Sequence, residues 1–346
     1  MQHTAFVTGG SGFIGGRLVT RLVGEGWRVR ALARSEESAH AVADLGAEAV
    51  RGSLSDVAAM ADGARGCEIA FHCAARVGAW GRPEEFERDN VQGTTNVVEA
   101  CRRAGVRRLV HVGTEAALLD GEPLVDVDER APLRPDSRAL YAATKARAES
   151  LVLAASGEGL ETVVVRPRLV WGAGDTTILP ELVARVGARR FAWVDGGRHR
   201  TSTTHVDNAV QGLLLAAERG VPGHAYFVTD GEPVEFRDFV TRLLATQGVA
   251  APDRDVPAWL ARAVAASGEA LWRRLPLRGA PPVTRLALWL SALETTIDIS
   301  RAREELGYAP LRTVEEGLAE LAAATDGGAP GRDSGLREAT TEKTVS

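Results

Sequence analysis

Short apolar runs alternate with longer stretches of helical spacing through the first half of the chain. "HTAFVTG" (3–9), "RVRALAR" (28–34), "AEAVRG" (47–52), "EIAFHCAA" (68–75), "RLVHVGT" (108–114) and "ETVVVRP" (161–167) read as strands. Between them "FIGGRLVTRLVGEG" (13–26) and the segments 36–46, 85–104 and 139–156 carry helical periodicity. Such alternation predicts right-handed crossovers and a parallel sheet with helices on both faces. The expected fold class is α/β, a doubly wound parallel sheet whose ligands bind outside the carboxyl ends of the strands.

The pattern changes after about residue 171. "GAGDTTILPELVARVGARRFAWVDGG" (172–197) reads as loop plus one helix. "TSTTHVDNAVQGLLLAAERG" (201–220) reads as a short strand and a helix returning to the first unit, with Asp207 as N-cap of a helix starting at Asn208. "GHAYFVTDGEPVEFRDFVTRLL" (223–244) gives a strand, a turn and a helix capped near Glu235. The expected division is 1–171 for the first domain, 172–324 mainly for a smaller, mostly C-terminal α/β substrate domain, and 325–346 as a disordered tail of small polar residues.

Acidic and basic residues nearly balance, at 46 against 41, which argues against a nucleic-acid footprint. Cys67, Cys73 and Cys101 are too irregularly spaced for a disulfide framework or a zinc site, so reduced thiols in a cytoplasmic protein and no bound metal are expected. "MQHTAFVTGG" runs straight into a strand, without the basic and apolar regions of a signal peptide. No apolar run approaches the roughly 20 residues that span a bilayer.

"TGGSGFIG" (8–15) follows the first strand and opens the first helix. Gly9, Gly12 and Gly15 permit a tight turn and let backbone N–H groups approach a pyrophosphate. With strand, turn and helix in place, this is a Rossmann-type dinucleotide site. The second strand ends "ALARSEES", where an acid for the adenosine ribose is usual. Ala33 stands there and Arg34 follows, which favours a 2′-phosphate and hence NADP(H). Glu36 and Glu37 leave NAD(H) open.

"YAATK" (141–145) places Tyr141 and Lys145 one helical turn apart on one face. A tyrosine with a pKa near ~10 is a poor base at neutral pH. A lysine ammonium within about 4–6 Å would favour the phenolate and draw that pKa down. The expectation is therefore Tyr141 as general acid/base and Lys145 as the charge that tunes it.

With these motifs the chain resembles the extended short-chain dehydrogenase/reductases, the NAD-dependent epimerase/dehydratase superfamily, over about residues 4–324. "FHCAA" (71–75), "NVQGTTNVVEAC" (90–101), "VHVGTEAAL" (110–118), "VRPRLVWGAGD" (165–175), "THVDN" (204–208) and "GHAYFVTDGEP" (223–233) carry the resemblance further. "RPRLVWGAGD", "AYFVTDGEP" and "LRGAPPVTR" (277–285) look like the branch of 3β-hydroxysteroid and sterol-4α-carboxylate dehydrogenases. "VGAWG" (77–81) looks most like the bacterial 2-alkyl-3-oxoalkanoate reductases of that branch. The resemblance implies an oxidoreductase in which Thr114 hydrogen-bonds the substrate oxygen and Lys145 also holds the nicotinamide ribose. It further implies cofactor contacts from Gly9, Gly12, Phe13, Ile14, Gly15, Ala74, Ala75, Tyr141, Lys145 and Pro167. Two positions depart from the family pattern: Ser53, before Leu54, replaces an aspartate that contacts adenine, and Thr114 replaces serine. Glu115 beside it is unusual and has no account at this level. A homodimer is left open, as is peripheral membrane contact through the arginines of the apolar segment at 256–275.

His72 reads as a core histidine, Asn90 as a tie between helix and strand, and Arg166 as the end of a strand at the ligand edge. "VPAWLARAVAASGEALWRRL" (256–275) has apolar residues at helical spacing, with Arg262, Arg273 and Arg274 at the edge of the stripe, and "RLALWLSAL" (285–293) is nearly all apolar. They are either the small domain's core or a lid over a greasy substrate, with Trp259, Trp272 and Trp289 partly exposed. The expected activity interconverts a 3-hydroxy and a 3-oxo group on a sterol or long-chain 3-oxo acid. A nucleotide-sugar epimerase/dehydratase and a non-catalytic dinucleotide sensor are the alternatives.

Overall fold

The structure, a computed structural model, describes residues 3–275, 277 and 279–327. The strands form where the pattern places them, trimmed at their ends: β1 Thr4–Thr8, β2 Arg28–Ala33, β3 Glu48–Arg51, β4 Ile69–His72, β5 Arg108–Val112 and β6 Glu161–Pro167. Ala225–Val228 joins them as β7. The seven strands lie in the order β7-β6-β5-β4-β1-β2-β3, all parallel. The apolar runs are nearly continuous because both faces are covered. Ala5 and Val7 pack with Leu18, Val19 and Leu22 on one face, whereas Phe6, one step out of phase, packs with Met60 and Val97 on the other.

The helices of the crossovers are α1 Phe13–Gly24, α2 Glu36–Asp44, α3 Val57–Ala64, α4 Gly93–Ala104 and α5 Leu140–Ala154, followed later by α6 Val206–Arg219. Helix α6 lies against α1, β5 and β6, and β7 pairs with β6. The return to the large sheet therefore runs one strand beyond the expected 201–220. A second, four-stranded sheet joins Leu124–Val127, Arg200–Thr201, Val234–Glu235 and Thr295–Ile297, which draws a segment of the first half toward the smaller layer.

Several local expectations need correction. The helix expected over 85–104 begins at Pro83, passes through a π-helical stretch at Glu87–Gln92 and becomes regular only at Gly93. Asp207 does not cap α6. His205 is the cap, its ring accepting the Asp207 N–H at 3.3 Å. Asp207 sits in the first turn, where the helix dipole favours an anion, and binds Arg17 at 2.5 and 2.9 Å. Phe236–Ala245 does begin after Glu235, but that side chain makes no cap hydrogen bond. The last helix, Val314–Gly327, includes Thr325, so the irregular tail does not begin there; 328–346 lies outside the described residues.

Arg166, at the end of β6, is buried and faces inward. Its Nε donates to Glu149 at 2.7 Å, and its guanidinium lies over the Phe227 ring at 5.1 Å. It holds α5 to the sheet and is not free for ligand. Removing one partner of a buried ion pair leaves the other charged, desolvated and unmatched, at a cost of about 3–5 kcal/mol. Glu149→Ala should lower stability on that scale, read as a drop in the denaturant midpoint at unchanged slope.

Candidate active site

The first crossover is closed by backbone contact. Gly9 has φ +74°, and a Cβ there would stand 2.6 Å from Ala74 N. A Cβ on Gly15 would stand 2.1 Å from Gly9 O. Only glycine permits either approach. The Gly12 N–H donates to Gly9 O at 3.0 Å, and Gly12 caps α1 without a side-chain acceptor. The first amide groups of α1 are left for an anion at the helix's positive end. This cradle fits a pyrophosphate, and Gly9, Gly12, Phe13, Ile14 and Gly15 would hold it beside Ala74 and Ala75.

At the adenosine end, Arg34 is exposed just past β2 and has no partner among the described residues. Arg51 closes β3 beside it, in register with Ala33, and pairs with Glu36 at 3.2 Å. Glu36 is thus already engaged by a cation. The Ser53 hydroxyl bonds Ser55 at 2.8 Å, and the Leu54 carbonyl accepts from Asn96 at 2.8 Å.

The reacting groups come from β5 and α5. Thr114 follows β5 and is buried; its hydroxyl donates to Glu115 Oε2 at 2.8 Å and accepts the Ala116 N–H at 3.2 Å. Tyr141, in the first turn of α5, is half-buried against Ala116, Leu119, Leu286 and Trp289. Burial raises its pKa above the ordinary phenol value, the Glu115 carboxylate raises it further, and the Thr114 hydroxyl offsets part of the rise. Lys145, expected to draw it down, is not among the groups that shift it here. Its Nζ donates to Val112 O at 2.7 Å and lies 3.3 Å from His111 Nε2. Burial lowers Lys145 to about 8, with the carboxylate of Glu149 and the thiol of Cys73 holding it up. Helical spacing put the two side chains on one face, but the open carbonyl at the end of β5 captures the ammonium.

His72 is a core residue: Nδ1 bonds Thr8 at 2.7 Å, Nε2 bonds Thr94 at 3.0 Å, and burial lowers its pKa to about 3. Asn90 projects from the π-helical stretch and ties the loop after β4 to α5. It accepts from Arg76 N at 2.7 Å and donates to Thr144 at 3.1 Å. The three cysteines are unpaired.

Sequence reasoning missed Arg168. It is fully buried and binds Glu115 Oε1 at 2.6 Å through Nη1, and Thr201 at 3.1 and 2.9 Å through Nε and Nη2. The nearest signal was Glu115 itself, a charge placed inside an apolar run.

Two further helices, Ala258–Arg274 and Arg285–Ala292, are clamped by Glu269, which accepts from the Arg285 amide at 2.7 Å and its guanidinium at 2.6 Å, and the second packs Leu286 and Trp289 against Tyr141. The three tryptophans differ. Trp259 is 71 % exposed, Trp272 is half-buried, and Trp289 is buried at 8 % in the cluster that holds Tyr141. The expectation of partial exposure thus fails for Trp289. Arg273 reaches over the Trp80 ring at 5.7 Å, joining the first of these helices to the loop after β4. No helix among the described residues is long and apolar enough to cross a membrane.

A glycine-closed dinucleotide cradle beside a Thr, Tyr and Lys set defines an extended short-chain dehydrogenase/reductase, an oxidoreductase acting on CH–OH groups. Residues 6–257 match the model of the 3-beta hydroxysteroid dehydrogenase/isomerase family, and the chain belongs to that family. It is 51 % identical over 316 residues to a 4-hydroxy-2-methyl-3-oxo-4-farnesyl-3,4-dihydroquinoline-1-oxide ketoreductase of Stigmatella aurantiaca, covering 91 % of this chain and 95 % of that one. It is 38 % identical to a 2-alkyl-3-oxoalkanoate reductase of Stenotrophomonas maltophilia, covering 92 % and 98 %. Among solved structures, gox2253 is 30 % identical with a TM-score of 0.73, covering 94 % and 99 %. A dTDP-glucose 4,6-dehydratase of Streptomyces venezuelae solved with NAD has the same TM-score at 22 % identity, covering 94 % and 97 %, and shares the fold.

Proposed function

We propose that the protein is an NADPH-dependent ketoreductase for a large apolar 3-oxo substrate. The observation that carries this reading is the packing of Tyr141 against an apolar cluster of Leu119, Leu286, Trp289 and Leu290. A site built for a nucleotide sugar would line that position with cations and amides to match a diphosphate. The two relatives named above act, by their names, on a farnesylated quinoline ketone and an alkylated 3-oxo acid, which share a ketone beside a long hydrocarbon. The unpaired Arg34, next to Arg51, supports a 2′-phosphate on the cofactor.

The dinucleotide, when bound, supplies the hydride. Tyr141 gives its proton to the carbonyl oxygen, and its raised pKa keeps that proton available at neutral pH. Lys145 has two of its three N–H groups directed at Val112 O and His111, which fixes its rotamer and leaves the third for the cofactor side. The apolar lid excludes water from the transferring proton. Leu260, Val264, Leu271 and Leu275 are exposed along one stripe flanked by Arg274, which suits peripheral contact with a membrane carrying the substrate.

Tyr141→Phe should lose at least ~100-fold in turnover, the scale of a general acid, with cofactor affinity nearly unchanged. Oxidation of NADPH against sterol ketones, 2-alkyl-3-oxo acids and aryl ketones measures it. Wild-type-like turnover in the folded variant would remove the assignment, and no reduction of any ketone would favour a sensor.

Arg34→Ala should weaken NADPH binding by about 1–3 kcal/mol, the scale of a hydrogen bond to a charged group, and leave NADH unaltered. Titration of both cofactors decides it, since equal loss would place the arginine elsewhere.

The lid is tested by a paired substitution. Trp259→Ala should melt like wild type yet raise the Michaelis constant for a long-chain ketone by about tenfold, because aromatic burial is worth ~1.5–3 kcal/mol. A small water-soluble ketone should be reduced as before. Trp289→Ala should instead cost about 3–5 kcal/mol of stability and impair both substrates.

A further inference from the structure

His111 is the next to last residue of β5, between Val110 and Val112, in a strand buried along its whole length. Strands β4 and β6 flank it, and the side chain is 1 % exposed. No water reaches the ring, so each nitrogen either finds a protein partner or stays unmatched. Nε2 has a partner: it lies 3.3 Å from Lys145 Nζ, which comes from α5. Nδ1 has none among the described residues.

The direction of the bond follows from the donor. Lys145 sits at about 8 and carries its proton at neutral pH, and an ammonium has only N–H groups to offer. Nε2 therefore turns its lone pair to Lys145, and the ring proton is on Nδ1, the nitrogen without a partner. The ring is also neutral, because burial and the adjacent ammonium hold it well below the ordinary imidazole range. His72, whose ring centre lies 5.0 Å away, is held neutral by burial as well. The interior thus keeps one N–H unmatched while a lone pair is aimed at a single lysine. A leucine at this position would suit the strand and leave no polar group unmatched.

We propose that His111 is a positioning residue for the dinucleotide, acting through Lys145: together with Val112 O it fixes the ammonium so that the third N–H is turned toward the cofactor. This rests on the ketoreductase reading, in which Lys145 serves the cofactor, and adds to it a residue from inside the sheet. Val112 O accepts from Nζ at 2.7 Å and His111 Nε2 at 3.3 Å. With one acceptor an ammonium can still turn about a single N–H···O axis. With two it cannot, and the direction of the remaining N–H is set before any ligand arrives. A lysine stem has much rotamer freedom to lose, and losing it on folding spares that loss on binding.

The test is NADPH affinity, read by fluorescence titration without any ketone, beside a melting curve for each variant. His111→Leu removes the acceptor and the unmatched N–H together. It should bind NADPH about tenfold more weakly, the scale of a lost hydrogen bond to a charged group, and melt at or above the wild-type temperature. A histidine kept only for packing would show the reverse, lower stability at unchanged affinity. His111→Gln, whose amide oxygen can accept from Nζ, should return most of the affinity. Lys145→Met should also weaken binding, and adding His111→Leu to it should weaken binding no further, because there is no ammonium left to hold. If leucine does not fold, His111→Phe takes its place in the same comparison. Wild-type affinity in the folded Leu or Phe variant, equal losses in Leu and Gln, or additive losses in the double variant overturns the proposal. Lys145→Met with wild-type affinity overturns it together with the cofactor role of Lys145. A weakened Lys145→Met beside an unaltered His111→Leu removes the role of His111 and leaves the ketoreductase reading standing.

Discussion

The carbonyl oxygen of Gly9 stands where a side chain on Gly15 would begin, and the geometry of the site follows from that contact. It lets α1 start immediately after β1 and brings the uncapped end of the helix to the middle of the sheet. The adjoining contact of Gly9 with Ala74 brings the end of β4 against the same turn. In the order β6-β5-β4-β1-β2 the ends of these strands lie side by side, so Thr114 after β5 and Pro167 at the end of β6 arrive at one edge. A parallel sheet aligns all its carboxyl ends, and a ligand that spans several of them binds across the point where the chain reverses its winding.

Behind that edge the protein buries two arginine–carboxylate pairs, two residues apart along the chain. Arg166 with Glu149 fastens α5 to β6, and Arg168 with Glu115 fastens the turn after β5 to Thr201 in the second sheet. Buried pairs are poor sources of stability because desolvation offsets most of their attraction. They are strong sources of specificity at one place, since any shift leaves a charge unmatched. Here both pairs converge on the two elements, β5 and α5, that carry Thr114, Tyr141 and Lys145. Both pairs hold those two elements in one register.

Much of this was legible in the chain and part was not, for definite reasons. The glycine turn is legible because its requirement is local: strand, turn and helix follow one another within twenty-one residues, from Thr4 to Gly24. The apolar runs are legible because a strand buried on both faces cannot hide polar residues. The direction of the Lys145 side chain was not, because helical spacing fixes a face and says nothing of a carbonyl at the end of another strand. Arg168 was not, because its partner lies 53 residues away and only folding joins them. Asp207 reads as a cap because its type favours that position, but His205 reaches the cap first and Arg17, 190 residues away, claims the carboxylate. Glu115 is the instructive case. An acid inside an apolar run is visible at once, but its meaning depends on which cation and which hydroxyl the fold brings to it.

The division of labour between the two layers follows from the same physics. Proton transfer requires groups held to a fraction of an ångström, and the large sheet supplies that rigidity through backbone contact and matched charge. Recognition of a large apolar molecule requires area and has little need of direction, because burial free energy is proportional to surface and not to angle. Arg285–Ala292 supplies apolar area beside the phenol through Leu286 and Trp289, while Trp259 on the neighbouring helix is open to solvent. Glu269 and Arg285 join those helices to each other, and none of their charges enters the cluster around Tyr141. Leu286 and Trp289 against Tyr141 come from Arg285–Ala292, whereas the charges behind Thr114 come from the chain after β5 and β6, so the apolar cluster and the matched pair are built on separate elements.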